Sequence, residues 1–191
     1  MRKNLFLLLL FLILSVGVKG QYLQKGFWGG FEFAYGLSLS DKGDAFRQKF
    51  GKSARMQFVD LRSVFGYYIT KTISVGTGVG LSTYSDPRVN LIPVFLDFRY
   101  HPVSAINENF YIGFNIGTAL MDNQSKIDPR LFTEVFVGYK LVDIGNFTLA
   151  PSLGYSFYRY TIESYASDLS VAHTDLTQRR NSLFLRLSLT Y

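Results

Sequence analysis

From residue 26 onward the chain alternates apolar and polar positions with a period of two, in segments of about ten residues. That spacing sends successive side chains to opposite faces of a β-strand, so each segment must see two different environments. The last segment shows it most cleanly: within 182–191, Leu183, Leu185, Leu187, Leu189 and Tyr191 share one face, and Phe184, Arg186, Ser188 and Thr190 share the other. Segments 26–39, 55–69, 73–84, 91–100, 110–120, 131–141 and 147–160 repeat the theme. The connections alternate too. Stretches 40–54, 85–90, 121–130 and 161–181 predict loops on one rim, and 70–72, 101–109 and 142–146 mostly shorter turns on the other. This pattern predicts an all-β fold, an eight-stranded antiparallel up-and-down β-barrel whose strands cross a membrane. The one helical cue is in the first loop, where Asp44 is placed to cap a single turn ending at Gly51, with Phe46 and Phe50 on one face.

Charge decides which face points inward. Four acids (Glu32, Asp60, Asp97, Glu134) and four bases (Arg62, Arg99, Lys140, Arg186) fall on the polar face among glycines and serines. A balanced set suits a narrow lumen in which each ion needs a partner. The apolar face carries no charge in mid-strand, only Arg55 and Arg159 at strand ends near the loop rim. A midplane Arg or Lys facing lipid costs roughly 2 to 4 kcal/mol in such barrels. Aromatics gather at two levels, Phe27, Tyr67, Tyr100, Phe110, Tyr139, Phe147 and Tyr191 toward the short-turn rim and Tyr35, Tyr155 and Phe157 toward the other, as interfacial belts do. Eight strands enclose an interior just wide enough for side chains, so the charges are expected to pack as a salt-bridge network. Gly76, Gly78 and Gly80 resemble a phosphate loop, but their period is two and no helix follows. They are expected to be small lumen residues making room for Phe95, Tyr68 or Arg99.

The N-terminus changes the compartment. Arg2 and Lys3 precede an unbroken apolar run, and the small residue Gly20 precedes Gln21, so residues 1–20 read as a cleaved secretory signal and 21–191 as one barrel domain. Without Arg2, Lys3 and Lys19 the 20 bases fall to 17 against 14 acids, a net charge of +3 that is too mild to argue for nucleic acid. Cysteine is absent, which excludes disulfides, thiolate metal sites, cysteine nucleophiles and a lipid-modified N-terminal cysteine. No metal-ligand cluster or cofactor motif is present in the sequence.

Together the signal peptide, the opening Gly26-Phe27-Trp28-Gly29-Gly30-Phe31, the eight alternating segments and the terminal strand are similar to the small eight-stranded outer-membrane proteins. These are the outer membrane protein X and A barrels and the β-barrel-domain proteins of Bacteroidota. The resemblance covers essentially the whole mature chain, through motifs that are individually generic. It implies an integral protein of the Gram-negative outer membrane with a structural or surface-interaction role and no enzyme activity. It also implies that Leu185, Leu187, Leu189 and Tyr191 form the assembly signal read by the barrel assembly machinery. No peptidoglycan-binding domain is expected after Tyr191.

Three alternatives are carried. The first is a narrow porin-like channel for small solutes. The second is a lipid A-modifying enzyme using His173 with Ser170 and Asp175, since some eight-stranded barrels are acyltransferases or deacylases; His101, beside Pro102, reads as a turn residue. The third is a soluble lipocalin-like carrier, suggested by Gly26-Phe27-Trp28 and opposed by the charged alternate face, the absence of a C-terminal helix and the aromatic last strand. In the basic first loop, Lys42, Arg47, Lys49 and Lys52 alternate with Phe46 and Phe50 as candidate contacts for lipopolysaccharide phosphates, against a plainly solvated loop. The long polar last loop is a candidate surface-binding element without a specified ligand.

Overall fold

The computed structural model describes residues 26–42, 57–85, 88–102, 109–121, 127–164 and 174–191. The expected signal segment, the helical cue at 44–51, the basic residues Arg47, Lys49 and Lys52, and Ser170 and His173 lie outside these residues. Among the described residues there are nine strands: β1 (Phe27–Lys42), β2 (Gln57–Tyr68), β3 (Ile73–Ser85), β4 (Arg88–Tyr100), β5 (Phe110–Met121), β6 (Ile127–Tyr139), β7 (Val142–Ile144), β8 (Phe147–Ser164) and β9 (Thr174–Thr190). All pairings are antiparallel. The order β6-β5-β4-β3-β2-β1-β9-β8-β7 closes on itself through β6–β8, and β7 is a short hairpin arm on the start of β8, so eight long staves make a closed barrel. Closure leaves the staves no free edge to template aggregation.

Turn chemistry matches sequence locally. Gly145, the one described residue with positive φ (62°), starts the two-residue turn between Ile144 and Phe147, as a type II′ hairpin requires. Between β2 and β3 the Thr70 hydroxyl accepts hydrogen bonds from the backbone N–H of Thr72 (3.2 Å) and Ile73 (3.0 Å), so a polar side chain closes the turn.

The strands run further toward the loop rim than their alternation predicts. β8 and β9 pair out to Ser164 opposite Thr174, through much of what reads as the last loop, and β6 begins at Ile127. β1 continues past a register shift between Ser38 and Ser40 to Lys42, which is therefore a strand residue. The reason is physical: beyond the apolar band both faces of a strand meet water, so the two-residue contrast fades while β-formers such as Thr161, Ile162 and Thr177 still favour extended backbone. On the other rim, 142–146 is strand β7 plus a two-residue turn.

The polar face is the inner one. Glu32, Asp60, Arg62, Asp97, Glu134 and Arg186 are each about 1% exposed or less, whereas outward Leu185 is 62% and Leu81 59% exposed. At the short-turn rim the outward aromatics stand beside one another: Phe27 opposite Tyr67, Phe110 opposite Tyr139, and Phe147 against Tyr191 with ring centres 6.1 Å apart. The seam between β1 and β9 ends there too. Tyr191 N–H donates to the Gly29 carbonyl (2.9 Å), and a Cβ added to Gly29 would fall 2.9 Å from the Tyr191 hydroxyl, so the ring lies on a position only glycine leaves open.

Candidate functional site: an ion-paired lumen

Inward-facing glycines set the geometry of the interior. Six inward aromatics lie across the glycine directly opposite on the neighbouring strand: Trp28 over Gly66, Phe58 over Gly36, Phe95 over Gly78, Tyr111 over Gly138, Phe136 over Gly113 and Phe184 over Gly154. The missing side chain lets each ring lie flat against the wall. Gly78 thus makes room for Phe95 as expected, while Gly80 makes room for Arg62 and Gly76 for the backbone of β2.

Onto these rings the arginines are laid. The Arg99 guanidinium sits 4.3 Å from the Trp28 ring centre, Arg186 4.5 Å from Phe184 and 4.8 Å from Phe136, and Arg62 5.2 Å from both Phe95 and Phe132. A guanidinium is weakly hydrated and planar, and it stacks on an aromatic face while its edge N–H groups reach sideways.

Those N–H groups join one chain of alternating charge. Asp60 and Arg62, two apart on β2, point the same way and pair. Arg62 then grips Glu134 of β6 with both terminal nitrogens (2.6 and 2.9 Å). Glu134 also pairs with Arg186 of β9 and accepts a hydrogen bond from Asn115 Nδ2 (3.0 Å). Arg186 Nε lies 3.4 Å from Glu32, Glu32 accepts from Arg99 at 2.7 Å and from the Ser188 hydroxyl at 3.2 Å, and Arg99 holds Asp97 at 2.8 and 3.0 Å. The ion pairs Asp60–Arg62–Glu134–Arg186–Glu32–Arg99–Asp97 therefore run across the interior, with Arg186–Glu32 the one link that has no hydrogen bond.

Seven of the eight polar-face charges lie in this chain. Lys140 stands beyond the end of β6, half-buried at the short-turn rim, where its charge bears on His101. The fourth buried base among the described residues is Arg180, which the sequence reading put in the last loop; it lies 5.0 Å from the Tyr84 ring centre and equalises four buried acids with four buried arginines. Sequence reasoning missed Arg180 because nothing in a polar stretch separates a solvated base from one facing a lumen.

Aromatic layers flank the charges toward both ends. Toward the loops Phe58, Tyr84, Tyr158 and Phe132 are in ring contact, with Phe132 and Tyr158 centres 4.6 Å apart. Toward the short turns Trp28, Tyr68, His101 and Tyr111 do the same, with His101 stacked on Tyr111 at 5.5 Å. Both His101 ring nitrogens are buried without a hydrogen-bond partner. Burial, with Lys140 and Arg99 nearby, pushes the imidazole from 6.5 down to about 3. Below pH 6.5 the unfolded chain thus binds a proton that the folded one refuses, so this stability is complete above about pH 6.5 and is lost as pH falls toward 3. His101→Phe is expected to remove about 3 kcal/mol of pH dependence between pH 7 and pH 4, measured by urea unfolding. An unchanged slope in the variant would place the titrating group elsewhere.

No protein-family model and no curated protein matches the chain. Among solved structures, the NMR structure of outer membrane protein AlkL in lipid bilayers matches with a TM-score of 0.59 and 17% identity, over 92% of this chain and 93% of that one. The chain has an AlkL-like barrel fold. Outer membrane protein OprG from Pseudomonas aeruginosa (13% identity, 86% of this chain and 95% of that one, TM-score 0.45) and Neisserial surface protein A (13%, 84% and 95%, 0.45) are more distant. In this chain the closed antiparallel barrel carries its buried charges inside and exposes its apolar side chains outside.

Proposed function

We propose that this is an integral protein of the outer membrane, delivered by a cleaved leader at 1–20, whose sealed barrel is a scaffold for the loops above it and neither an enzyme nor a pore. The observation that carries the reading is the ion-pair chain from Asp60 to Asp97 between two aromatic layers. An interior filled in this way leaves a solute no path unless several charge-assisted hydrogen bonds break together, each worth about 1.5 to 3 kcal/mol. The outward apolar band between two aromatic levels supports a lipid setting, because a closed barrel satisfies its backbone hydrogen bonds without water. On this reading outer-membrane lipid and lipopolysaccharide surround the band, and Leu185, Leu187, Leu189 and Tyr191 meet the barrel assembly machinery during insertion. The test has two parts. The outer-membrane fraction should contain a band whose gel mobility shifts on boiling, and the protein in planar bilayers should show no steady conductance above bare lipid. A soluble periplasmic protein without a shift overturns the membrane reading; stepwise conductance overturns the sealed lumen in favour of a narrow channel.

A further inference from the structure

Two register relations set three bases side by side where the outer wall leaves its apolar band. Lys42 of β1 stands opposite Arg179 of β9, and Arg179 stands opposite Arg159 of β8. Opposite residues of an antiparallel ladder share a face. The three positions therefore form one transverse row over three neighbouring strands, roughly 5 Å from each to the next. The face is the outward one: Arg159 is opposite Leu131, an exposed leucine, and two residues below it Phe157 leads down to exposed Tyr155 and Leu183.

Like charges set opposite one another weaken a sheet, so such a row calls for anionic neighbours. Arg179 is exposed, and the Arg159 Nε is buried with no hydrogen-bond partner, an unsatisfied donor within the row. An anion that meets these donors while sitting directly above apolar and aromatic side chains is one attached to an acyl chain. We propose that Arg159 and Arg179 bind the phosphate groups of an outer-leaflet glycolipid of the lipopolysaccharide type, whose acyl chains lie on the band below. The proposal rests on the outer-membrane reading and deepens it. It moves the phosphate contact from the first loop to the barrel wall.

The test is native mass spectrometry of the protein in detergent with three probes: hexa-acylated lipid A bearing both phosphates, the same lipid stripped of phosphate, and inorganic phosphate. Phosphorylated lipid A should be retained and the stripped lipid lost, with millimolar inorganic phosphate failing to displace the bound lipid. Arg159→Gln with Arg179→Gln should cut retention about tenfold, whereas Lys71→Gln on the opposite rim should leave it unchanged. Equal retention of stripped lipid, unchanged retention in the double variant, or full displacement by inorganic phosphate would each overturn the site. If the double variant loses its folded, heat-shiftable band, Arg179→Gln alone on its exposed side chain carries the test, with about a threefold loss expected. Failure of the wild-type protein to show that band would instead overturn the membrane reading itself.

Discussion

Replacing Glu134 with Ala is expected to lower the unfolding free energy of the barrel in lipid vesicles by about 3 to 5 kcal/mol. Glu134 is the carboxylate on which the ion-pair chain turns: it takes both terminal nitrogens of Arg62, pairs with Arg186 and accepts from Asn115. Its loss leaves Arg62 with Asp60 alone and Arg186 with only the 3.4 Å contact to Glu32, so the cost is that of under-compensated buried charge more than of the contacts themselves. Asp60→Asn should cost clearly less, because Asp60 ends the chain and pairs with Arg62 alone among the ion pairs. Urea titration followed by tryptophan emission reads both, since Trp28 lies under Arg99 in the same interior. A loss for Glu134→Ala below about 1 kcal/mol, the worth of an exposed pair, would mean that water reaches the lumen and screens it, reopening the channel reading.

Leu185→Arg is expected to abolish stable insertion, while Ser188→Ala on the same strand leaves the protein in the membrane. Leu185 points outward between Tyr35 of β1 and Leu153 of β8, inside the apolar band, where an arginine costs roughly 2 to 4 kcal/mol. Ser188 points inward and donates one hydrogen bond to Glu32, so its removal forfeits about 1 kcal/mol. Immunoblots of the outer-membrane fraction compare the two, and equal levels would sink the assignment of faces.

Much of this was legible from period and charge. Alternation located all eight staves, and charge confined to one face identified the interior. Strand ends were less legible, because the contrast between faces is created by lipid and stops where lipid stops; hence Lys42, Arg180 and the upper β8–β9 ladder read as loop. The aromatic filling of the lumen was hidden for another reason. Phe58, Phe95, Phe136 and Phe184 sit on the polar face and look like noise in the alternation until each is matched with the glycine opposite. That match depends on register, which a single strand does not disclose. Pairs such as Gly36 with Phe58 or Gly113 with Phe136 become a signal only when adjacent segments are aligned as hairpins. Lys140 has the parity of the inner face, and its height along the stave puts it at the short-turn rim, beyond the end of β6.

The seam between β1 and β9 also fixes when the molecule becomes whole. Every other ladder joins neighbouring staves, whereas this one joins residues as distant in sequence as Gly30 and Thr190. Folding speed should therefore be governed by a single late encounter, and loop length should hardly matter to it, since doubling a closed loop adds only about 0.6 kcal/mol of entropy cost. Until that encounter the unfinished sheet shows two raw edges, β1 and β9, each a template for a foreign strand. The vulnerable moment of this protein is thus the interval before its first and last strands meet, and anything that shortens the interval protects it more than any extra contact in the finished barrel.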